Sequence, residues 1–152
     1  MIRQGTLQVQ DRWKIALVTS RFNSAITESL EQGAYDRLVE MGMNPEHILR
    51  VRVPGAVEIP LAALQLLDSD CDAVIALGAV IRGETSHFDY VCSAVERGCT
   101  QVMLQTKKPV VFGVLTTDNE QQAEARIGGA HGHKGRDAAE VAVEMLNLAD
   151  LI

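Results

Sequence analysis

The groups most able to do chemistry stand where a fully apolar run stops. Residues 78–96 read GAVIRGETSHFDYVCSAVE: the run ends at Arg82 and Gly83, an amphipathic stretch follows, and a titratable side chain, His87, sits at the join. In a parallel sheet covered by helices, the C-terminal strand ends and the following helix N-termini form the mouth where ligands bind. Polar residues recur at the other apparent strand ends: Phe22 with Asn23, Glu58, Glu84 through His87, and residues 116–119. They would converge on one rim. A lone polar residue at a helix start is more often a cap than a ligand contact, and Thr85, Ser86 and Asn119 can each be read that way. Phe22 could merely cover a core edge. Together, however, an aromatic ring beside a polar loop can stack on a flat heteroaromatic ligand, and free N–H groups around Thr85 can hold a phosphate.

Common alternatives are missing from the sequence. No G-x-G-x-x-G opens a helix after a strand, and residues 129–135 follow a phosphate-loop pattern only until Lys134 is succeeded by Gly135 instead of Ser or Thr. His131 and His133 have no carboxylate or cysteine at a ligand-like spacing, so they read as polar loop residues and no metal is expected. There is no G-x-S-x-G elbow, and none of the three cysteines stands at a strand-to-helix turn.

The elements that would position these groups follow from periodicity. Residues 14–20, 48–53, 72–81 and 109–115 read as strands; the second, carrying Arg50 and Arg52 on a wetter face, suits an edge, and the third suits a centre buried on both faces. Between them, Ile26, Leu30, Ala34, Leu38 and Met41 mark one helix, and residues 57–67 mark another with Pro60 in its first turn. A third starts near Phe88, with Ser86 and Asp89 spaced as a capping box and His87 in its first turn. A fourth runs to about Ile127, and the glycines of residues 128–132 interrupt it. The last, from Lys134, is expected to bury Ala138, Val141, Ala142, Met145 and Leu148. Strands alternating with helices imply a parallel sheet in an α/β layer sandwich. Residues 1–12 form an arm with a short alternation at Leu7 and Val9 and no obvious partner strand, which another subunit could supply.

Length and composition agree with one domain over residues 1–152. The chain is 47% hydrophobic but only 4% aromatic, a core of Val, Ile, Leu and Ala that suits helices on a parallel sheet. A formal charge of −6 with scattered basic residues argues against nucleic acid as a partner. The odd cysteine count without Cys-x-x-Cys spacing reads as free thiols in a reducing compartment, and no apolar run reaches membrane-spanning length. A soluble cytoplasmic protein without membrane contact is the expectation.

Five segments carry a resemblance: RFNSAITESLEQGA, VPGAVEIPLA, GAVIRGETSHFDYVC, FGVLTTDNEQQAEAR and GHKGRDAAEVAVEML, in this order, resemble the signature blocks of the lumazine synthase family. The match runs from about Lys14 to Leu148. It implies a flavodoxin-like three-layer α/β/α sandwich with a four-stranded parallel sheet, plus an N-terminal strand joining a neighbouring subunit's sheet. The implied reaction, a step of riboflavin biosynthesis, condenses 5-amino-6-(D-ribitylamino)uracil with 3,4-dihydroxy-2-butanone 4-phosphate, releasing phosphate and water, with no cofactor. The implied assembly is a homopentamer with active sites between subunits. Whether it closes into a sixty-subunit shell, and whether a riboflavin synthase associates with it, stays open.

Residue by residue, the resemblance implies that Phe22 stacks on the ring with Asn23 beside it. It implies that Gly55, Ala56, Val57 and Glu58 contact the ribityl chain and pyrimidine, and that Val80 and Ile81 form an apolar wall. Glu84, Thr85 and Ser86 match the phosphate loop, Arg126 the phosphate-clamping arginine, His87 the proton-transfer histidine, and Phe112 and Lys134 ligand-proximal residues of the neighbouring subunit. Three positions depart from the family: Val57 replaces a frequent aromatic, Glu84 a small residue, and His133 an asparagine. An archaeal-type riboflavin synthase and a non-catalytic flavin- or lumazine-binding shell protein are the competing readings.

Overall fold

The computed structural model describes residues 1–152. β1 (Ile15–Ser20), β2 (Ile48–Val53), β3 (Ala73–Ile81) and β4 (Val110–Thr117) form one parallel sheet in the order β2-β1-β3-β4. β2 is an edge and β3 is central, as their patterns required. β1 is buried along its whole length, and β3 through Ala79.

Helices cover both faces. α1 (Ser24–Glu40) and α5 (Lys134–Ala149) close one core around Leu17, Leu30, Ile75 and Val143. α2 (Ile59–Asp68) and α3 (His87–Thr106) close the other around Val18, Ile59, Val74 and Val95. The crossover from β1 to β2 uses α1, whereas those from β2 to β3 and from β3 to β4 use α2 and α3. Reversing the direction of winding moves the helices to the opposite face because the crossovers keep one hand. The reversal places a switch point between β1 and β3.

α1 and α5 approach so closely that a Cβ on Gly135 would collide with the Leu30 carbonyl, and one on Gly33 would collide with the His133 imidazole. His133 does more than occupy a loop. It is the N-cap of α5, and its Nδ1 accepts from the Arg136 N–H at 3.3 Å. An asparagine could meet the same need, so this departure from the family pattern preserves the cap.

Burial, followed by the Arg136 guanidinium, holds the His133 pKa below its ordinary value. The folded chain therefore resists a proton that the unfolded chain accepts below about pH 6.5. This contribution leaves stability intact above that value and erodes it as pH falls toward the folded pKa. His133→Asn is expected to flatten the fall in urea midpoint between pH 7 and 5. An unchanged slope would assign the acid sensitivity to other groups.

Two helices differ from expectation. The fourth helix is short, α4 (Glu120–Glu124), capped where Asn119 Oδ1 accepts from Gln122 N–H at 2.8 Å, a contact worth about 1 kcal/mol. A two-stranded hairpin, β5 (Ile127–Gly129) with β6 (Gly132–His133), follows it, so Arg126 lies beyond the helix and not on it. On α5, Val141 and Met145 are 45% and 44% exposed and Leu148 is only half-buried; Ala139, Val143 and Leu146 are buried with Ala138 and Ala142. The N-terminal arm forms no strand. Asn147 Nδ2 donates to the Thr6 and Gln8 carbonyls at 2.8 Å, and Gln10 Nε2 donates to Asn147 and Asp150, tying the arm to the end of α5.

Candidate active site

At the switch point a cleft of about 380 Å³ opens over the C-terminal ends of β1 and β3. Phe22 is 72% exposed beside it, held by backbone contacts: Arg21 N–H donates to the Val53 carbonyl at 2.8 Å and Phe22 N–H to the Pro54 carbonyl at 3.1 Å. Asn23 adopts a left-handed conformation, φ 61° and ψ 48°, which asparagine tolerates better than most residues. Its side chain does not cap α1. Nδ2 donates instead to the Ala79 carbonyl at 2.9 Å, joining the ends of β1 and β3 and setting the direction of Phe22.

Gly55, Ala56 and Val57 line the same cleft. Ala56 and Val57 belong to a single helical turn, Ala56–Glu58, with Gly55 as its N-cap, and the Glu58 carboxylate closes it by accepting from Gly55 N–H at 3.1 Å. Val80 and Ile81 form the apolar wall, and Thr85 and His87 complete the rim. The expected capping box at α3 is absent: Ser86 has helical dihedrals and makes no side-chain cap bond, while Thr85 Oγ1 accepts from His87 N–H at 3.3 Å. The His87 side chain is exposed and bonded to nothing within the chain.

Phe88 and Val91 also line the cleft; both are half-buried, where the apolar face of α3 overruns the core. Arg82 reinforces this rim. Its guanidinium lies 4.4 Å from the Phe88 ring centroid, Nε donates to Asp118 at 3.0 Å, and Nη1 approaches Asp89 at 3.6 Å.

Phe112, Arg126 and Lys134 are together, but elsewhere. They line a second cleft of about 440 Å³ on the unpaired edge of β4, bounded by α5 and sharing no lining residue with the first. Arg126 Nη1 donates to the Gln122 carbonyl at 2.8 Å, and Lys134 N–H to the Arg126 carbonyl at 2.9 Å. Lys134 Nζ stands 3.8 Å from Asp137, an exposed pair that leaves the ammonium available. Asn23, Glu58, Glu84 and Ser86 line neither cleft.

No group of three or more His, Cys, Asp or Glu side chains is placed to hold a metal ion. Burial raises the Cys71 and Cys92 thiols and pushes Cys99 up to about 11, so none is poised as a thiolate nucleophile. The first cleft can sandwich a flat ring against Phe22 and present an imidazole at its rim. The second offers a guanidinium and an ammonium beside an aromatic.

A parallel sheet in this order, with helices on both faces and a ligand-sized cleft at the switch point, defines a flavodoxin-like α/β/α sandwich. A family model described as 6,7-dimethyl-8-ribityllumazine synthase matches residues 12–150. Proteins bearing that name are similar along nearly the whole chain. The one from Bdellovibrio bacteriovorus is 53% identical over 139 residues, 91% of this chain and 76% of its own length. One from Coxiella burnetii is 51% identical and one from Thermus thermophilus 46%, each over 140 residues, 91% of this chain, and over 93% and 89% of their own lengths. The chain belongs to the 6,7-dimethyl-8-ribityllumazine synthase family.

Proposed function

We infer that the protein catalyses the family's reaction: it joins 5-amino-6-(D-ribitylamino)uracil to 3,4-dihydroxy-2-butanone 4-phosphate and releases 6,7-dimethyl-8-ribityllumazine, phosphate and water. Family membership over residues 12–150 carries this reading. The first cleft suits the ring substrate. Phe22 stacks on the pyrimidine, and the Gly55–Val57 turn lies alongside where backbone groups can meet ribityl hydroxyls. Val57 narrows the aromatic surface there but leaves backbone contacts in place.

The chemistry needs proton transfers at several points. The 5-amino group attacks the ketone, water leaves as the imine forms, phosphate is eliminated, and the second amine closes the ring with loss of water. His87 is the group at the rim able to exchange these protons, and Thr85 marks where the phosphate enters the first turn of α3. Holding both substrates in register supplies much of the remaining acceleration. No metal or organic cofactor has a part in this scheme.

Arg126, Lys134 and Phe112 complete the site from a neighbouring copy. Oligomeric assembly is typical of the family, and we assign a pentamer here, with the N-terminal arm joining the adjacent subunit's sheet. Val141, Met145 and Phe112, each more than two-fifths exposed, give the edge an apolar surface to bury. A sixty-subunit shell, with or without an enclosed riboflavin synthase, would be built from the same pentamers, and light scattering separates the sizes. No helix is long and apolar enough to cross a membrane, and we place the reaction in the cytoplasm.

Mixing the two substrates with purified protein is expected to produce lumazine absorbance. Riboflavin formed from lumazine alone would overturn this in favour of an archaeal-type riboflavin synthase. Tight flavin binding without turnover would instead favour a carrier or shell.

A further inference from the structure

A third cleft, of about 220 Å³ and lined without any hydrophobic residue, opens between α1 and the C-terminal ends of β1 and β2. It has no lining residue in common with the two clefts described above. Three of its lining residues carry anomalous hydroxyls. Thr19, Ser20 and Thr27 are each 1% exposed, and none of the three oxygens has a hydrogen-bond partner. A buried hydroxyl left without a partner costs stability, so these atoms call for one in the cavity they line.

The surroundings define the partner's chemistry. α1 begins at Ser24 without a side-chain cap, because the Asn23 amide is committed to the Ala79 carbonyl. A helix start of this kind presents free N–H groups and a partial positive charge. Arg21 lines the cleft and makes no ion pair, while Arg52 donates through Nη2 to Glu31 at 2.8 Å and through Nη1 to Glu28 at 3.4 Å. These donors call for an oxyanion.

Glu28, which also lines the cleft, and Glu31, 1% exposed with Oε1 unpartnered, oppose an ion that only accepts. An oxyanion that also carries a proton satisfies both sets, because it accepts from the hydroxyls, N–H groups and guanidinium while donating to a carboxylate. We propose that the cleft between α1, β1 and β2 binds hydrogen phosphate and discriminates against sulfate, which has no proton to donate near neutral pH.

The test separates this site from the catalytic phosphate contacts. Equilibrium dialysis with labelled inorganic phosphate at pH 7 uses Arg126→Ala protein, in which the catalytic contact is weakened. That protein is expected to retain one phosphate per chain, and adding Thr27→Val to lower the affinity at least tenfold. Arg21→Ala, an exposed change, serves as a second probe with the same expectation and does not disturb the core. Equimolar sulfate is expected to displace little of the phosphate. Absence of bound phosphate in Arg126→Ala, or binding indifferent to both cavity changes, overturns the proposal. Equal displacement by sulfate reduces the cleft to an adventitious ion site only.

Discussion

His87→Gln is expected to lower kcat about 100-fold, at the low end of the range for a lost general acid–base group, with the oligomer intact and substrate affinities nearly unchanged. Glutamine keeps a polar side chain of similar reach but cannot exchange a proton near neutral pH. His87 can be changed cleanly because it is exposed at the first residue of α3 and its side chain makes no bond within the chain. Its backbone N–H remains bonded to Thr85 Oγ1 whatever the side chain. The loss stops short of abolition because the two substrates are still held together. Steady-state rates with both substrates, beside light scattering of the same sample, make the measurement. Unchanged kcat would remove His87 from the mechanism; a dissociated oligomer would make it a structural residue.

The parts of this arrangement that follow from chain periodicity were readable early. β3 announces itself because it is apolar without interruption, and that pattern survives only in a strand covered on both sides. Phe22 and His87 stand out because strand ends and helix starts are local events. The same locality explains what could not be read. Ser86 and Asp89 have capping-box spacing, but Ser86 has helical dihedrals and makes no cap bond. Residues 127–133 pair as a hairpin despite few β-branched residues, around positive-φ Gly128 and Gly132. Val141 and Met145 continue an apolar period on α5 beyond what the chain's own sheet can cover, so periodicity alone assigns them to the core. The polar cleft beneath α1 was invisible for a different reason. Arg52 looks like the wet face of an edge strand until Glu31, twenty-one residues earlier, is found tied to it.

Arg126→Ala is expected to weaken binding of the phosphate-bearing substrate by roughly 10- to 150-fold while leaving the affinity for the uracil substrate close to its original value. A hydrogen bond to a charged group contributes about 1.5–3 kcal/mol, and each 1.4 kcal/mol is a tenfold change. The fold should tolerate the change: the guanidinium's one bond within the chain is to the Gln122 carbonyl, and the hairpin is held through the Arg126 backbone. Arg126→Lys is expected to restore only part of the affinity, since an ammonium cannot meet two phosphate oxygens as a fork does. The separation of the two clefts makes a further outcome decisive. His87 and Arg126 lie in clefts with no common residue, so a site assembled between copies takes one group from each. Co-refolding His87→Gln subunits with Arg126→Ala subunits then regenerates intact sites at about one interface in four by random assortment around a ring. Recovered activity well above that of either variant places the two groups on different copies. Activity no greater than the mean of the two would confine the working site to a single chain.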